Sequence, residues 1–506
     1  MVDFTQRVLK GAGIIFGTSL ISSAFAYLIR LILARKLTPE EFGLFFAVYS
    51  FVLIVGWIKS LGLPSSIQKL VPEFRIKNEI TSIKFVMFFS FLFNLMTSLI
   101  VLVIVFFIPD SLINSYFKSI LGKSIFLVMI CYILMDGLSQ VFTSYFLAVN
   151  KVWKYAMREM VIRGFVLIGI LLISLDVFRV SWIYVLAATF SSVINFTLFL
   201  VDFKFFSHPL IFSKAVIKEI FRFSLPLTIR DFFGVLMSYV DTLTLVYFRP
   251  LVEVAIYNVI LPTADLLLVL ARPFGRVMLP MSSELSVSGQ NERILHLLKL
   301  IHKYLFLLLV PIYTIIFTFS GWILKSLFGV QYETGSLGLK LLGLGFFFSG
   351  LSIVNYSVLI GIGRPKEATK VTLLVNALNL ILNLILIPFF GAFEKGYLGA
   401  IVSTITCSFL LFLLLCYYLR RFIDYHLPLK ELVIVGSIGL FMLALGYLIN
   451  NISFMINCPP YLKAIIFGFS ILFIYLPLLF VFGISSLREV LNIIGLFFKR
   501  KEKYGD

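Results

Sequence analysis

Apolar runs of about twenty residues recur along this chain from residue 11 nearly to residue 485, and no other feature constrains its fold so tightly. A bilayer core is about 30 Å thick and a helix rises about 1.5 Å per residue, so each run has the length of one crossing. Backbone N–H and C=O groups find no water in lipid, which means a spanning run must bond internally as a helix. A β-barrel would need segments of about ten residues in strict alternation, whereas stretches such as Ser98 to Ile108 are apolar throughout. With 60% hydrophobic and 13% charged residues in 506, the chain reads as an all-α polytopic membrane protein with the lipid bilayer as its solvent.

The spacing predicts fourteen spans: 11–33, 42–62, 85–108, 124–149, 160–178, 182–203, 223–248, 257–283, 304–328, 337–361, 369–389, 397–419, 433–452 and 462–485. Basic residues gather on one side, among them Arg75, Lys84, Lys151, Lys154, Arg158, Lys218 and the tail Lys499 to Lys503. The other side carries far fewer, chiefly Arg35, Lys36, Lys118, Lys123, Arg179, Arg249, Lys395 and Lys463. The positive-inside rule then places both termini in the cytoplasm of a cell-membrane protein, as an even number of spans requires. The net charge of +18 is therefore a topology signal, and no nucleic-acid partner is expected. The loops leave no room for a soluble catalytic or nucleotide-binding domain.

Cys131, Cys407, Cys416 and Cys458 lack CxxC spacing, and His208, His296, His302 and His426 form no ligand set, so neither zinc nor a disulfide is expected. The histidines read as interfacial or surface residues. Gly122-Lys123-Ser124 lacks the first glycine of a phosphate-binding loop, and Asn451-Ile452-Ser453 is a glycosylation sequon close to the membrane.

Ionisable residues inside the membrane are the informative ones, because each costs about 2.5–3.5 kcal/mol at a helix centre unless it faces a cavity, a partner or an interface. In span 8, Asp265, Arg272 and Arg276 fall within about 40° of one another on a helical projection. In span 7, Arg230, Gly234 and Asp241 share a face, and span 11 carries a polar stripe of Thr372, Asn376, Asn379 and Asn383. The first half adds Arg30, Lys59, Asp136 with Gln140 and Thr143, and Glu159 with Arg163. A central hydrophilic cavity would accommodate them all. The plainer alternatives are that Arg30, Lys59 and Arg276 snorkel to headgroups, that Glu159 and Arg163 form an interfacial pair, and that the asparagines glue helices together. Gly13 and Gly17 read as helix-packing residues. An echo between Glu41–Phe45 and Glu253–Tyr257, each followed by a Leu-Pro (Leu63-Pro64 and Leu279-Pro280), suggests a parallel repeat offset by six spans.

The stretch Ala34-Arg35-Lys36-Leu37-Thr38-Pro39-Glu40-Glu41-Phe42-Gly43 resembles polysaccharide flippases, of the O-antigen or teichoic-acid type, in the multidrug/oligosaccharidyl-lipid/polysaccharide superfamily. So do the stretch from Asp241 through Arg249 to Tyr257 and the loop Gly361-Ile362-Gly363-Arg364-Pro365. The resemblance implies two six-helix lobes, 1–203 and 204–419, followed by two additional spans and a basic tail in 420–506. It implies alternating-access transfer of a polyprenyl-phosphate-linked oligosaccharide to the outer leaflet, no enzymatic activity, and glycan-biosynthesis enzymes as partners. It gives Arg30, Arg272 and Arg276 the role of meeting the diphosphate, and requires no cofactor beyond a coupling ion, H+ or Na+. The rival readings are an ion-coupled exporter of small organic cations, using Asp136, Asp241 and Asp265, and a membrane-embedded glycosyltransferase, for which the sequence offers no acidic site beside a large outer loop.

Overall fold

The computed structural model describes residues 2–451 and 459–482, although the side chains of a few of these, Arg230 included, lie outside the description. The sequon serine and the basic tail also lie outside the described residues. In chain order the helices are α1 Val2–Lys36, α2 Pro39–Ser60, α3 Leu63–Ile76, α4 Ile80–Phe107, α5 Asp110–Phe117, α6 Gly122–Ala148, α7 Val152–Leu172 and α8 Val177–Phe203. Then follow α9 Lys214–Phe248, α10 Leu251–Val287, α11 Asn291–Phe328, α12 Ser336–Gly361, α13 Pro365–Gly391, α14 Gly396–Ile423, α15 Leu429–Asn451, α16 Pro460–Ser470 and α17 Leu476–Val481. No strand occurs among the described residues, and the chain is an all-α polytopic membrane protein.

Twelve helical segments among the described residues are long and apolar enough to cross a membrane. Two of the fourteen expected spans are not among them. The fifth corresponds to α7, which carries Lys154, Arg158, Glu159 and Arg163 and is too charged to count by composition. The last is a shorter apolar stretch, Tyr461–Tyr475, that passes from α16 into a π-helical turn, Ile471–Tyr475. The expected spans at 223–248, 257–283 and 304–328 are parts of helices of 35, 37 and 38 residues.

The motif between α1 and α2 has a local cause. Thr38 caps α2: its Oγ1 accepts from the Glu41 amide at 3.2 Å, while a Glu41 carboxylate oxygen accepts from the Thr38 amide at 3.0 Å, with Pro39 opening the first turn. Thr38→Ala is expected to cost about 1 kcal/mol, read as a lowered thermal midpoint of the purified protein.

The chain forms two compact units, 1–259 with 383–399 and 260–382 with 400–506, so that the divisions fall inside α10, α13 and α14. The first unit is built around α6, whose Phe142, Tyr145 and Phe146 are buried together with Ile67, Leu70 and Phe199. Here α3 is amphipathic, burying Leu63, Ile67, Leu70, Val71 and Phe74 and leaving Lys69 and Arg75 exposed. It leaves α2 through Gly62, whose φ of +67° suits glycine and where a Cβ would come within 2.6 Å of Thr228 Oγ1. The sequence echo diverges at this point, since α2 ends before Leu63-Pro64 whereas α10 runs unbroken through Leu279-Pro280.

In the second unit, α11 packs on α12 and α15. His302, expected near the surface, is fully buried; its Nδ1 lies 3.0 Å from the Leu298 carbonyl and 2.9 Å from the Tyr425 hydroxyl. Gly13 and Gly17 do not act as a packing motif among the described residues, because a Cβ at either would meet nothing within 4 Å.

Candidate functional site

Within the second unit, α10 presents the charged stripe expected from the sequence. Arg272 reaches back along the helix, as side chains leaning toward the N-terminus do, and donates to both carboxylate oxygens of Asp265 at 2.7 and 3.0 Å. Both side chains remain substantially exposed, at 47% and 36%. One turn on, Arg276 is exposed and makes no hydrogen bond or ion pair among the described residues. The helix carries Pro262, Pro273 and Pro280 around these charges. Charges exposed on a membrane-length apolar helix have no favourable contact with lipid tails and call for water, a headgroup or an ionic cargo.

The asparagine stripe divides between two tasks. Asn379 donates to Ser403 Oγ at 3.1 Å, and that hydroxyl bonds back to the Asn379 carbonyl at 3.1 Å. Asn383 is buried and donates to Asp241 at 2.6 Å, while the Tyr257 hydroxyl donates to the other oxygen of the same carboxylate at 2.6 Å. Asn376 is half-buried. Asp241, Tyr257 and Asn383 therefore tie three helix ends of the first unit together, and the stretch from Asp241 to Tyr257 spans a structural knot.

Close to that knot in the same unit, Arg249 donates to Glu253 at 2.8 and 2.5 Å, and the other Glu253 oxygen accepts from the Tyr397 amide at 2.9 Å. Lys118 donates to the Arg249 carbonyl at 2.9 Å. A Cβ on Gly43 would come within 2.0 Å of the Leu251 carbonyl oxygen. Only glycine permits that approach, which accounts for the end of the first motif. The loop motif has a similar cause in the second unit, where Gly361 lies against Ser282, Gly363 turns at φ +78°, and Pro365 starts α13.

Arg30 does not snorkel freely. It is half-buried, with its guanidinium 4.4 Å from the centroid of the Phe46 ring, itself packed with Phe45 and Tyr49. Lys59 also departs from expectation. It is only 4% exposed and donates to Asn94 Oδ1 at 3.0 Å and Ser98 Oγ at 2.8 Å on α4.

The residue that sequence reasoning missed is Arg158, read there only as a cytoplasmic topology charge. It is 12% exposed and donates to Asp136 on α6 and, at 2.8 Å, to Glu159. Arg163 pairs with Glu159 at 3.3 Å and donates to the Ser22 carbonyl on α1 at 2.8 Å. The expected i,i+4 pair is thus present, but as part of a four-membered network. The missing signal was helical phase: Arg158 and Glu159 precede Arg163 by about one turn, so they belong to the same helix instead of a loop. Arg158, Glu159 and Arg163 of this network line one wall of an open cavity of about 410 Å³ bordered by α1, α3, α6 and α7.

A family model described as polysaccharide biosynthesis protein matches residues 8–286, more than half of the chain. An uncharacterised membrane protein of Methanocaldococcus jannaschii is 24% identical over 518 aligned positions, covering 99% of this chain and 100% of that protein. A provisionally named O-antigen transporter of Shigella flexneri is 26% identical over 193 residues, 38% of this chain and 44% of its own length. Among solved structures, the lipid II flippase MurJ in an inward closed conformation shares the fold with a TM-score of 0.68 at 17% identity, covering 91% of this chain and 99% of that one. The motifs, the helical architecture and the extent of the family match agree, and the chain belongs to the polysaccharide biosynthesis protein family.

Proposed function

We propose that this protein translocates a polyprenyl-phosphate-linked oligosaccharide from the cytoplasmic to the outer leaflet, by alternating access between two six-helix lobes, with both termini in the cytoplasm of the cell membrane. The observation that carries the reading is the exposed Asp265–Arg272–Arg276 stripe on α10. A lipid-linked diphosphate brings several negative charges into the membrane, and arginine forks meet phosphate oxygens with directional, charge-assisted hydrogen bonds. Arg276 has its fork available, and Arg272 can exchange Asp265 for phosphate. The family's description as polysaccharide biosynthesis proteins supports the same cargo.

The rival cation exporter needs carboxylates that await a cation. Asp136 is held by Arg158, Asp241 by Tyr257 and Asn383, and Asp265 by Arg272. That pattern favours anionic cargo.

The test reconstitutes the purified protein in liposomes with a fluorescent polyprenyl-diphosphate oligosaccharide and follows its exposure to an outside-only quencher, with and without H+ or Na+ gradients. Accelerated movement supports the reading, and its gradient dependence identifies the coupling ion. Export of a soluble organic cation with no lipid movement would overturn it. Asp265→Asn removes the competing carboxylate and is expected to tighten binding of the diphosphate by about tenfold, the equivalent of one charged hydrogen bond regained. Calorimetric titration would read this shift.

A further inference from the structure

We infer that the open cavity bordered by α1, α3, α6 and α7 is a sugar-binding subsite for an uncharged glycan headgroup, separate in chemistry from the arginine stripe of α10. The inference rests on the flippase reading and assigns one part of the cargo to one part of the chain.

The first argument is charge. Two arginines, Arg158 and Arg163, stand against two carboxylates, Asp136 and Glu159, and the four are joined by hydrogen bonds and ion pairs. The four-membered network as a whole is therefore neutral, and both arginines in the lining are already paired, Arg158 with Asp136 outside the lining, so neither is left over for a diphosphate. The network also has no unclaimed carboxylate cluster for an organic cation.

The second argument is the rest of the lining. Thr18, Ser22, Gln68, Gln140, Thr143 and Tyr155 surround the same space with hydroxyls and amides. Thr18 and Thr143 donate to carbonyls of their own helices and keep lone pairs for a ligand, while the glutamine amides and the Tyr155 hydroxyl can both donate and accept; together they complement a ring bearing several hydroxyls. Glu159, half exposed in this wall, retains acceptor capacity for adjacent sugar hydroxyls, and Tyr155 supplies an aromatic face. At about 410 Å³ the cavity lies in the range of small-molecule sites, about 300–1,000 Å³.

The third argument is unsatisfied bonding. Ser22 Oγ and Arg158 Nε are buried and have no hydrogen-bond partner among the described residues. Buried polar atoms are bonded in the great majority of cases, and an orphan costs about 1–3 kcal/mol. Both atoms belong to residues that line this cavity, and a ligand rich in hydroxyls would supply the missing partners once these side chains turn toward it.

Position fits as well. Gln140, Thr143 and Ser144 belong to the last turns of α6, and Tyr155 to the first turn of α7, next to Lys151 and Lys154. The cavity therefore sits toward the basic end of these helices, the end at which a headgroup made in the cytoplasm would load.

The test uses the full-length protein in lipid nanodiscs and calorimetric titration with four probes. These are farnesyl diphosphate alone and farnesyl diphosphate bearing N-acetylglucosamine, galactose or glucuronic acid. A neutral sugar is expected to tighten binding by about tenfold or more over the bare diphosphate, and Ser22→Ala or Gln140→Ala to remove most of that gain without weakening the bare probe. Ser22→Ala is the safer variant for folding, because its hydroxyl has no bond to lose and the Arg163 bond goes to the backbone carbonyl. Three results would overturn the inference: no sugar-dependent gain in the unmodified protein, a gain that survives both substitutions, or a gain confined to the acidic sugar. The flippase reading stands or falls separately, on lipid-linked glycan movement in liposomes.

Discussion

Replacing Arg272 and Arg276 together by alanine is expected to reduce translocation of a polyprenyl-diphosphate oligosaccharide by about two orders of magnitude or more. A hydrogen bond to a charged group contributes about 1.5–3 kcal/mol, and two arginines each lost from a phosphate contact amount to about 3–6 kcal/mol. That sum corresponds to a rate factor of about a hundred to ten thousand. The fold should survive, since both side chains are exposed on α10 and surface changes commonly cost under about 0.5 kcal/mol. Quencher accessibility in liposomes reads the rate, and thermal unfolding of the same preparation reads the fold. A double variant that moves the lipid at the normal rate would remove this stripe from the cargo path.

Arg158→Leu is expected to have the largest effect on stability. Its guanidinium is only 12% exposed and bonds to Asp136 and Glu159; deleting it leaves the Asp136 carboxylate inside the helix packing without its cation. Breaking one partner of a buried pair typically costs about 3–5 kcal/mol, whereas removing both charges is often close to neutral. The Asp136→Asn, Arg158→Leu double variant should therefore recover most of the loss in thermal midpoint. If the single variant melts like the unmodified protein, the pair is not structural.

The membrane class was legible because a span is a length requirement, and length is written directly in the sequence. The α10 stripe was legible for a related reason: helical phase fixes which residues share a face, and Asp265 and Arg272 meet seven residues apart as the phase requires. What phase cannot tell is what lies opposite that face. Asp241 looked like a cavity carboxylate, yet both its oxygens are occupied by Tyr257 and Asn383, the latter 142 residues away. Lys59 looked like a snorkelling residue because it stands in the last turn of its span, and only its packing against α4 reveals Asn94 and Ser98. Arg158 was lost for the opposite reason. Counting it as a loop charge satisfied the topology rule, and α7 begins eight residues earlier than the apolar run suggests.

The family-like motifs carry a different lesson. Thr38, Glu41, Gly43, Arg249, Glu253, Gly361 and Gly363 are occupied with caps, turns, latches and close backbone approaches, so what is most recognisable in the sequence is scaffold. The residues suited to distinguish one cargo from another, such as Ser22 and Gln140, carry no motif at all.

Pro262, Pro273 and Pro280 divide α10 into stretches of about two to three turns. Each proline lacks the amide that would have bonded to the carbonyl four residues before it, so the rungs normally joining Asn258, Val269 and Arg276 to the next turn are missing. A rod notched in this way is most compliant beside its charges, and force from a bound anion would be absorbed as curvature within the helix before it displaced the neighbours.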